Sequence, residues 1–585
     1  MSKTNRVLAR ALAVMTLPAV LAACATGASP PALRPAAHAD ASSMDSRLGD
    51  TSVYGLYLAG EAALDNGASQ DAAMYLGQAS ARSPDAGFLK ERAFAAALVA
   101  GDVDRAAALA PRPGEGDEAA YALGRVTQAV VALSADHGKA AYDLLSASSM
   151  GAHWAAAALL TPWAAAAAGD WNAATTPVAG GGDRAVQAFG QLNHALLLER
   201  AGKFPEAEAE YQVMAPRGGV FALAYGAFLE RRGRRDAAVA LYGQSLSKDP
   251  TDPAFAAAKA RAAAGATAPA APTILTGAAQ SLIGPAALLL AQKQPDAGLA
   301  YLRLALKLDP NLAEGWVLVG DALEAQQDPA AARDAYRRVK PTSPEYTTAQ
   351  GRLAINLQEA GSKDEALKVA QAAVADRPSD PHTLLVLADI YRDDERYPEA
   401  VQTLDKLIAL VGRDTAAVWR LYYLRGTSLE RQGQWDTAQK DLQHALDLKP
   451  DDPEVLNYLG FAWADRGEHL DEALSLLTKA TTLAPDSGAV VDSLGWAYYR
   501  LGRYPQAVKE LERAASLDPS DPDINNHLGD AYFSTGRKLE AQYQWRRVLT
   551  LEPDAKARSS VEGKLARDGL GSAGGPTAPK DAGHP

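Results

Sequence analysis

The sequence predicts an all-α protein, a solenoid of helix-turn-helix repeats arranged in two halves. Three observations predict it. One pattern is written three times between Pro453 and Pro553: NYLGFAWADRGEHLDEALSLLTKA, DSLGWAYYRLGRYPQAVKELERA and NHLGDAYFSTGRKLEAQYQWRRV. The chemistry recurs at fixed places, with Leu459-Gly460, Leu494-Gly495 and Leu528-Gly529 each followed three residues after the Gly by Trp463, Tyr498 and Tyr532, then by Ala473, Ala507 and Ala541, and closed by Pro485, Pro519 and Pro553. The composition, 48% hydrophobic with 7% aromatic residues and abundant Ala, suits helices packed on helices through small residues.

From Gly495 to Gly529 the spacing is 34 residues, and the pattern resembles the tetratricopeptide repeat, W-x2-L-G-x2-Y…A-x3-F…P. The resemblance implies a right-handed stack of antiparallel helix pairs, A and B, and a non-catalytic binding role. Gly495 and Ala507 are small where helix A meets helix B, and Leu494, Tyr498 and Leu511 fill the space around them. Pro519 lacks an N–H and ends helix B. One hairpin cannot bury its apolar face alone, so the unit must be repeated.

In chain order, residues 1–23 read as a secretory signal, with Lys3, Arg6 and Arg10 before an apolar run from Ala11 to Ala23. Leu21-Ala22-Ala23-Cys24 resembles a bacterial lipobox, which implies a lipidated Cys24. The alternative is an ordinary signal cut after Ala25. Cys24 is the one cysteine, so no disulfide forms within a chain. Ala25 after the Cys implies sorting to the outer membrane, on its periplasmic side. Residues 25–50 are Ala/Pro/Ser-rich and read, with Cys24, as a lipidated tether over 24–50; as a coil it spans about 30 Å. No further apolar stretch reads as long enough to span a bilayer.

Repeats begin at about Thr51, and residues 51–262 form a degenerate array of about six. Gly60, Ala72 and Leu76 mark the first, Trp154, Trp163 and Trp171 an Ala-rich hairpin, and Gly226, Ala238 and Tyr242 the last. Residues 263–278, rich in Ala, Pro and Thr, read as a linker or hinge. Eight regular repeats occupy 279–554, with an insertion near Leu410–Asp414, and 555–585 read as a disordered Ala/Gly/Pro tail.

No catalytic constellation stands out, so the chain reads as a non-enzyme without cofactor or metal. The nine His residues are scattered, no His-Glu-x-x-His or Gly-x-Ser-x-Gly occurs, and Gly180-Gly181-Gly182 lacks the Lys-Ser/Thr of a phosphate loop. Asp518, Asp521, Asp523 and Asn525 have the spacing of a calcium loop but lack its Gly and closing Glu, and read as an inter-repeat turn. Ser245-x-x-Lys248 stands without the companions of a β-lactamase-like site. Without residues 1–23 the chain has 55 basic (58 less 3) and 70 acidic side chains, a net of −15, which argues against nucleic acid as a partner.

In the repeat fold, helix A presents positions 5, 9 and 12 to a groove. These are Asn457, Asp492 and Asn526, then Phe461, Trp496 and Asp530, then Ala464, Tyr499 and Phe533. Such a ladder of amides and carboxylates suits the backbone of an extended peptide, with the aromatics holding apolar side chains. Equally, the polar groups solvate an exposed face and the aromatics pack between repeats. The Lys/Asn/Arg set that clamps a C-terminal carboxylate is missing from this groove.

A narrower resemblance covers the last hundred residues. Ala464-Asp465-Arg466-Gly467, Asp471-Glu472-Ala473-Leu474, Asp492-Ser493-Leu494-Gly495-Trp496, Tyr499-Arg500-Leu501-Gly502 and His527-Leu528-Gly529-Asp530 look like the C-terminal repeats of bacterial repeat lipoproteins. Among those is an adaptor that binds a carboxyl-terminal processing protease and delivers cell-wall hydrolases to it. The resemblance implies a lipid-anchored envelope adaptor with protein or peptide partners. The alternative is an assembly factor for a secretion, pilus or polysaccharide-export complex.

Overall fold

A computed structural model describes residues 51–567 except 115–116, 147–149, 179–183, 251 and 413–417. The expected signal and tether, with Cys24, lie outside the described residues, as do residues 568–585 of the expected tail. The described residues are helical with no strand.

Six hairpins come first: α1 (Val53–Asp65) with α2 (Ser69–Arg82), α3 (Gly87–Ala100) with α4 (Val103–Leu109), α5 (Glu118–Ser134) with α6 (Gly138–Ser146), α7 (Trp154–Ala167) with the single turn α8 (Trp171–Ala174), α9 (Arg184–Arg200) with α10 (Phe204–Met214), and α11 (Gly219–Arg231) with α12 (Arg235–Leu246). A lone α13 (Pro253–Ala263) follows. Eight more hairpins come next: α14 (Ile274–Ala291) with α15 (Pro295–Leu308), α16 (Ala313–Ala325) with α17 (Pro329–Arg337), α18 (Tyr346–Glu359) with α19 (Lys363–Asp376), α20 (Pro381–Asp393) with α21 (Tyr397–Val411), α22 (Trp419–Arg431) with α23 (Trp435–Leu448), α24 (Pro453–Arg466) with α25 (Leu470–Leu483), α26 (Gly488–Arg500) with α27 (Tyr504–Leu517), and α28 (Pro522–Ser534) with α29 (Lys538–Thr550). A final helix, α30 (Ala555–Arg567), packs on α29.

The small residue of helix A sits over a large residue of helix B sixteen positions later. A Cβ on Gly495 would lie 2.6 Å from Leu511 Cγ, on Gly320 2.2 Å from Tyr336 Cε1, and on Gly226 2.2 Å from Tyr242 Cε1. No real Cβ sits that close, so the missing side chain is what lets the helices approach. Ala507, Leu511, Ala473 and Leu477 are fully buried in the same seams. The α24/α25 hairpin carries one extra residue, so Gly460 meets Leu477 instead, and its turn holds Gly467 and His469 at φ 71° and 46°. Gly takes that conformation freely, whereas His469 adopts it with its ring 5.0 Å from Trp463.

The Asp-Pro turns start helices. Asp521 Oδ1 accepts from the N–H groups of Asp523 (2.8 Å) and Ile524 (3.1 Å), and Asp452 caps α24 in the same way. These carboxylates satisfy N–H groups that have no partner within the helix, and Pro suits the first helical position.

Among the described residues the chain forms two compact units, and the division falls ahead of Val418, beside the expected insertion. The sequence places the break at 263–278 instead. That stretch is not a hinge in the structure. Its irregular part is 264–273, and Thr273 caps α14 through the N–H of Thr276, so 274–278 are helical. The carbonyls of Pro269 and Pro272 accept from Arg231 and Arg200. Helix α14 then packs against α7 and α9, because Gly277 and Gly284 leave room for Trp163 and Phe189. One apolar core consequently runs from Phe94 to Ala400.

Two further sequence readings change. Helix α14 is long and apolar enough, by length and composition, to cross a membrane, although no such stretch was expected beyond the leader. Its buried residues, among them Ala278, Leu282 and Ala286, belong to the protein core. Residues 555–567, expected in a disordered tail, form α30. Asp554 accepts from the N–H of Ala557 at 2.7 Å, and Val561 and Leu565, one turn apart, are buried in the cluster that holds Leu528, Tyr532, Trp545 and Val548.

Candidate functional site

In the unit that begins at Val418, helices α24, α26 and α28 lie side by side, each the A helix of its hairpin. The 34-residue period therefore brings equivalent positions next to each other. Between them is a cavity of about 300 Å³, lined by Asn457, Tyr458, Phe461, Asp492, Ile524 and His527, with Glu430 and Arg466 at one side.

Asn457, Phe461 and Asp492 are thus brought together. The Oδ1 of Asn457 is buried and has no hydrogen-bond partner among the described residues. A buried acceptor left unpaired costs about 1–3 kcal/mol, which a donor from a bound segment would recover. Asp492 is paired: both its oxygens lie within 3.0 Å of His527 Nδ1. Burial works against charge on His527, but Asp492, helped by Asp523 and Asp530, outweighs it and lifts the imidazole pKa above its ordinary value. Glu430 accepts from Arg466 at 2.9 Å, and the Arg466 guanidinium lies 4.1 Å from the Trp435 ring centre.

Trp496 and Tyr499 do not line the cavity. They continue an aromatic stack from it: His527 to Trp496 is 4.2 Å and Trp496 to Tyr499 is 4.8 Å between centroids, the planes nearly parallel. Trp496 Nε1 donates to Asp465 at 3.3 Å. Ala464 is fully buried. The third rung of the ladder is already occupied. Lys564 on α30 donates to Asn526 Oδ1 (2.8 Å) and Asp530 Oδ2 (2.7 Å), and Trp545 Nε1 donates to Asp530 Oδ1 (3.1 Å). Phe533 is 41% exposed and leans on Trp545 at 5.6 Å.

Sequence reasoning missed His527 and Lys564. His527 follows a ladder position and lies 35 residues after Asp492, one repeat plus one, so the register contained that signal. Lys564 carries none, because its helix reads as tail in the sequence.

Residues 275–553 match a family model described as tetratricopeptide repeat, and residues 223–254 match a second with the same description. The TPR repeat-containing protein PA4667 of Pseudomonas aeruginosa is 31% identical over 194 residues, 33% of this chain and 32% of that protein. The protein O-mannosyl-transferase TMTC1 of Homo sapiens is 26% identical over 190 residues, 32% of this chain and 20% of that protein. The chain therefore spans a third or less of the length of these curated relatives. Among solved structures, the APC/C hetero-tetramer Cut9-Hcn1 is 16% identical with a TM-score of 0.38, covering 89% of this chain and 97% of that one. Residues 223–254 and 275–553 are thus similar to tetratricopeptide repeats, and the cavity is built on A helices that lie within the second of these stretches.

Proposed function

We propose that this protein is a non-catalytic scaffold that binds an extended segment of a partner protein along α24 and α26. The observation that carries the reading is the unpaired, buried Asn457 Oδ1 in a cavity walled by Phe461 and the Asp492–His527 pair. A backbone N–H of the segment donates to Asn457, and an apolar side chain sits against Phe461. Tetratricopeptide arrays generally bind protein partners, which supports the same reading.

The finer reading is an envelope adaptor held at the periplasmic side of the outer membrane through a lipidated Cys24. Its partners are a carboxyl-terminal processing protease and the cell-wall hydrolases it receives. The resemblance of the last hundred residues to repeat lipoproteins supports this.

A pull-down from detergent-solubilised envelope identifies the partner, and its affinity is then measured for wild type and Asn457→Ala alongside thermal melts. Weakened binding with a native melt is expected; unchanged affinity removes the groove from the reading. Recovery of outer-membrane pore subunits without a protease would point to an assembly factor. Turnover of an envelope substrate by the purified protein would overturn the non-catalytic reading. Cys24→Ala is expected to release the protein from membranes or leave it uncleaved, since stable attachment needs more than one acyl chain.

A further inference from the structure

The unit ahead of Val418 contains a second cavity, of about 640 Å³, between the turn at 100–104 and helices α15, α16 and α17. It is within the size range of sites that take small molecules. Leu306, Trp316, Val319 and Leu323 make its apolar wall, and Arg303, Lys307 and Arg338 face it as cations. The acids there are already engaged. Asp104 Oδ2 is 2.7 Å from Lys307 Nζ, Asp334 Oδ1 is 3.2 Å from Arg337 Nη1, and Asp102 Oδ1 accepts from the Arg105 N–H at 3.1 Å.

Arg303 and Arg338 have no carboxylate within ion-pair distance among the described residues. Arg303 spends Nε on the carbonyl of Val99, at 3.1 Å, and its stem lies over Gly101, where an added Cβ would be 3.2 Å from Cδ. Its two terminal nitrogens have no hydrogen-bond partner among the described residues. The Arg338 guanidinium lies 5.5 Å from the Trp316 ring centre. Burial lowers the Arg303 pKa to about 10, and repulsion from Arg338 adds to the effect. Partly buried cations are ordinarily paired, and a guanidinium presents its donors as a fork that fits carboxylate or phosphate oxygens.

We propose that this cavity binds a small amphiphilic anion, its carboxylate or phosphate held by Arg303 and Arg338 and its apolar body laid against Leu306 and Trp316. Both oxyanions satisfy the same two forks, and the apolar wall selects against inorganic ions alone. The site involves residues 70–338 and does not rest on the groove described above.

The test is calorimetric titration of the full chain at low salt with three eight-carbon probes below their micellar concentrations: octanoate, octyl phosphate and the neutral octanamide. At least one anion is expected to bind saturably at one site, with octanamide much weaker. Octanoate alone points to a carboxylate ligand, octyl phosphate alone to a phosphate, and both support the site. Arg303→Met keeps the stem over Gly101 and is expected to weaken the anion about tenfold or more. If Arg303→Met lowers the melt, the exposed Arg338→Gln decides, with the same loss expected. The proposal is overturned if neither anion saturates, if octanamide binds as tightly, or if the natively melting variants bind like wild type.

Discussion

At Gly495 the room for a side chain is smaller than a carbon atom, since an added Cβ would lie 2.6 Å and 2.8 Å from two carbons of Leu511. Gly495→Leu must separate α26 from α27, and is expected to cost about 1–3 kcal/mol by overpacking. Hydrogen exchange should show the loss concentrated in residues 453–553; uniform protection there would contradict the register. His527 makes a prediction of opposite character, in charge. Its pKa is raised in the fold, so its pairing with Asp492 stabilises fully below about pH 6.5, the value of an unfolded imidazole, and the contribution disappears as pH rises through the folded value. The gap in melting temperature between wild type and His527→Gln should therefore be larger at pH 5.5 than at pH 8.5. A gap that is equal or reversed would mean that His527 is neutral against Asp492.

Helix α30 packs on the α28/α29 hairpin as a cap, adding Val561 and Leu565 to its apolar cluster while Lys564 satisfies Asn526 and Asp530. Repeat arrays need such an end, because the outermost hairpin otherwise leaves an apolar face in water. Ending the chain after Asp554 is expected to cost about 3–6 kcal/mol from the two lost apolar side chains. Exchange should accelerate across α28 and α29, residues 522–550, before it does in α24. Unchanged protection of α28 would show that α30 adds nothing. The element also revises the proposed ladder: Asn526 and Asp530 are committed to Lys564 and Asp492 to His527, so in the proposed reading Asn457 is the rung that meets a partner.

For the molecule as a whole, the two compact units make a prediction about cooperativity. A Cβ at Gly277 would sit 2.1 Å from Trp163 Cη2, so Gly277→Leu forces α14 away from α7. Protection should fall within residues 53–411 and persist in 419–567. Equal losses in both would show that the chain unfolds as one unit. The packing of α14 and α15 on the N-terminal helices also explains where the expected division fails. Tyr301 donates or accepts at 2.7 Å with His153 Nδ1, and Arg303 reaches Val99, so residues on both sides of 263–278 share one core.

The sequence by itself determined the all-α class and the helix-A and helix-B seams. It did so because each hairpin is a local event. Gly320 and Tyr336, or Gly495 and Leu511, meet sixteen residues apart, and Gly460 and Leu477 seventeen, and a short-range period is written in residue types. Tertiary structure alone decided three other things: the docking of α14, the cap formed by α30, and the meeting of Arg303 with the 99–101 turn some 204 residues away in sequence. The groove falls between these cases. The 34-residue register aligns Asn457 with Asp492, but which polar group stays unpaired depends on the neighbours that reach it. His527 comes to Asp492 and Lys564 to Asn526, and among the described residues nothing comes to Asn457 Oδ1. Periodicity records what each repeat repeats, whereas hydrogen-bond satisfaction depends on where the stack turns, closes and ends.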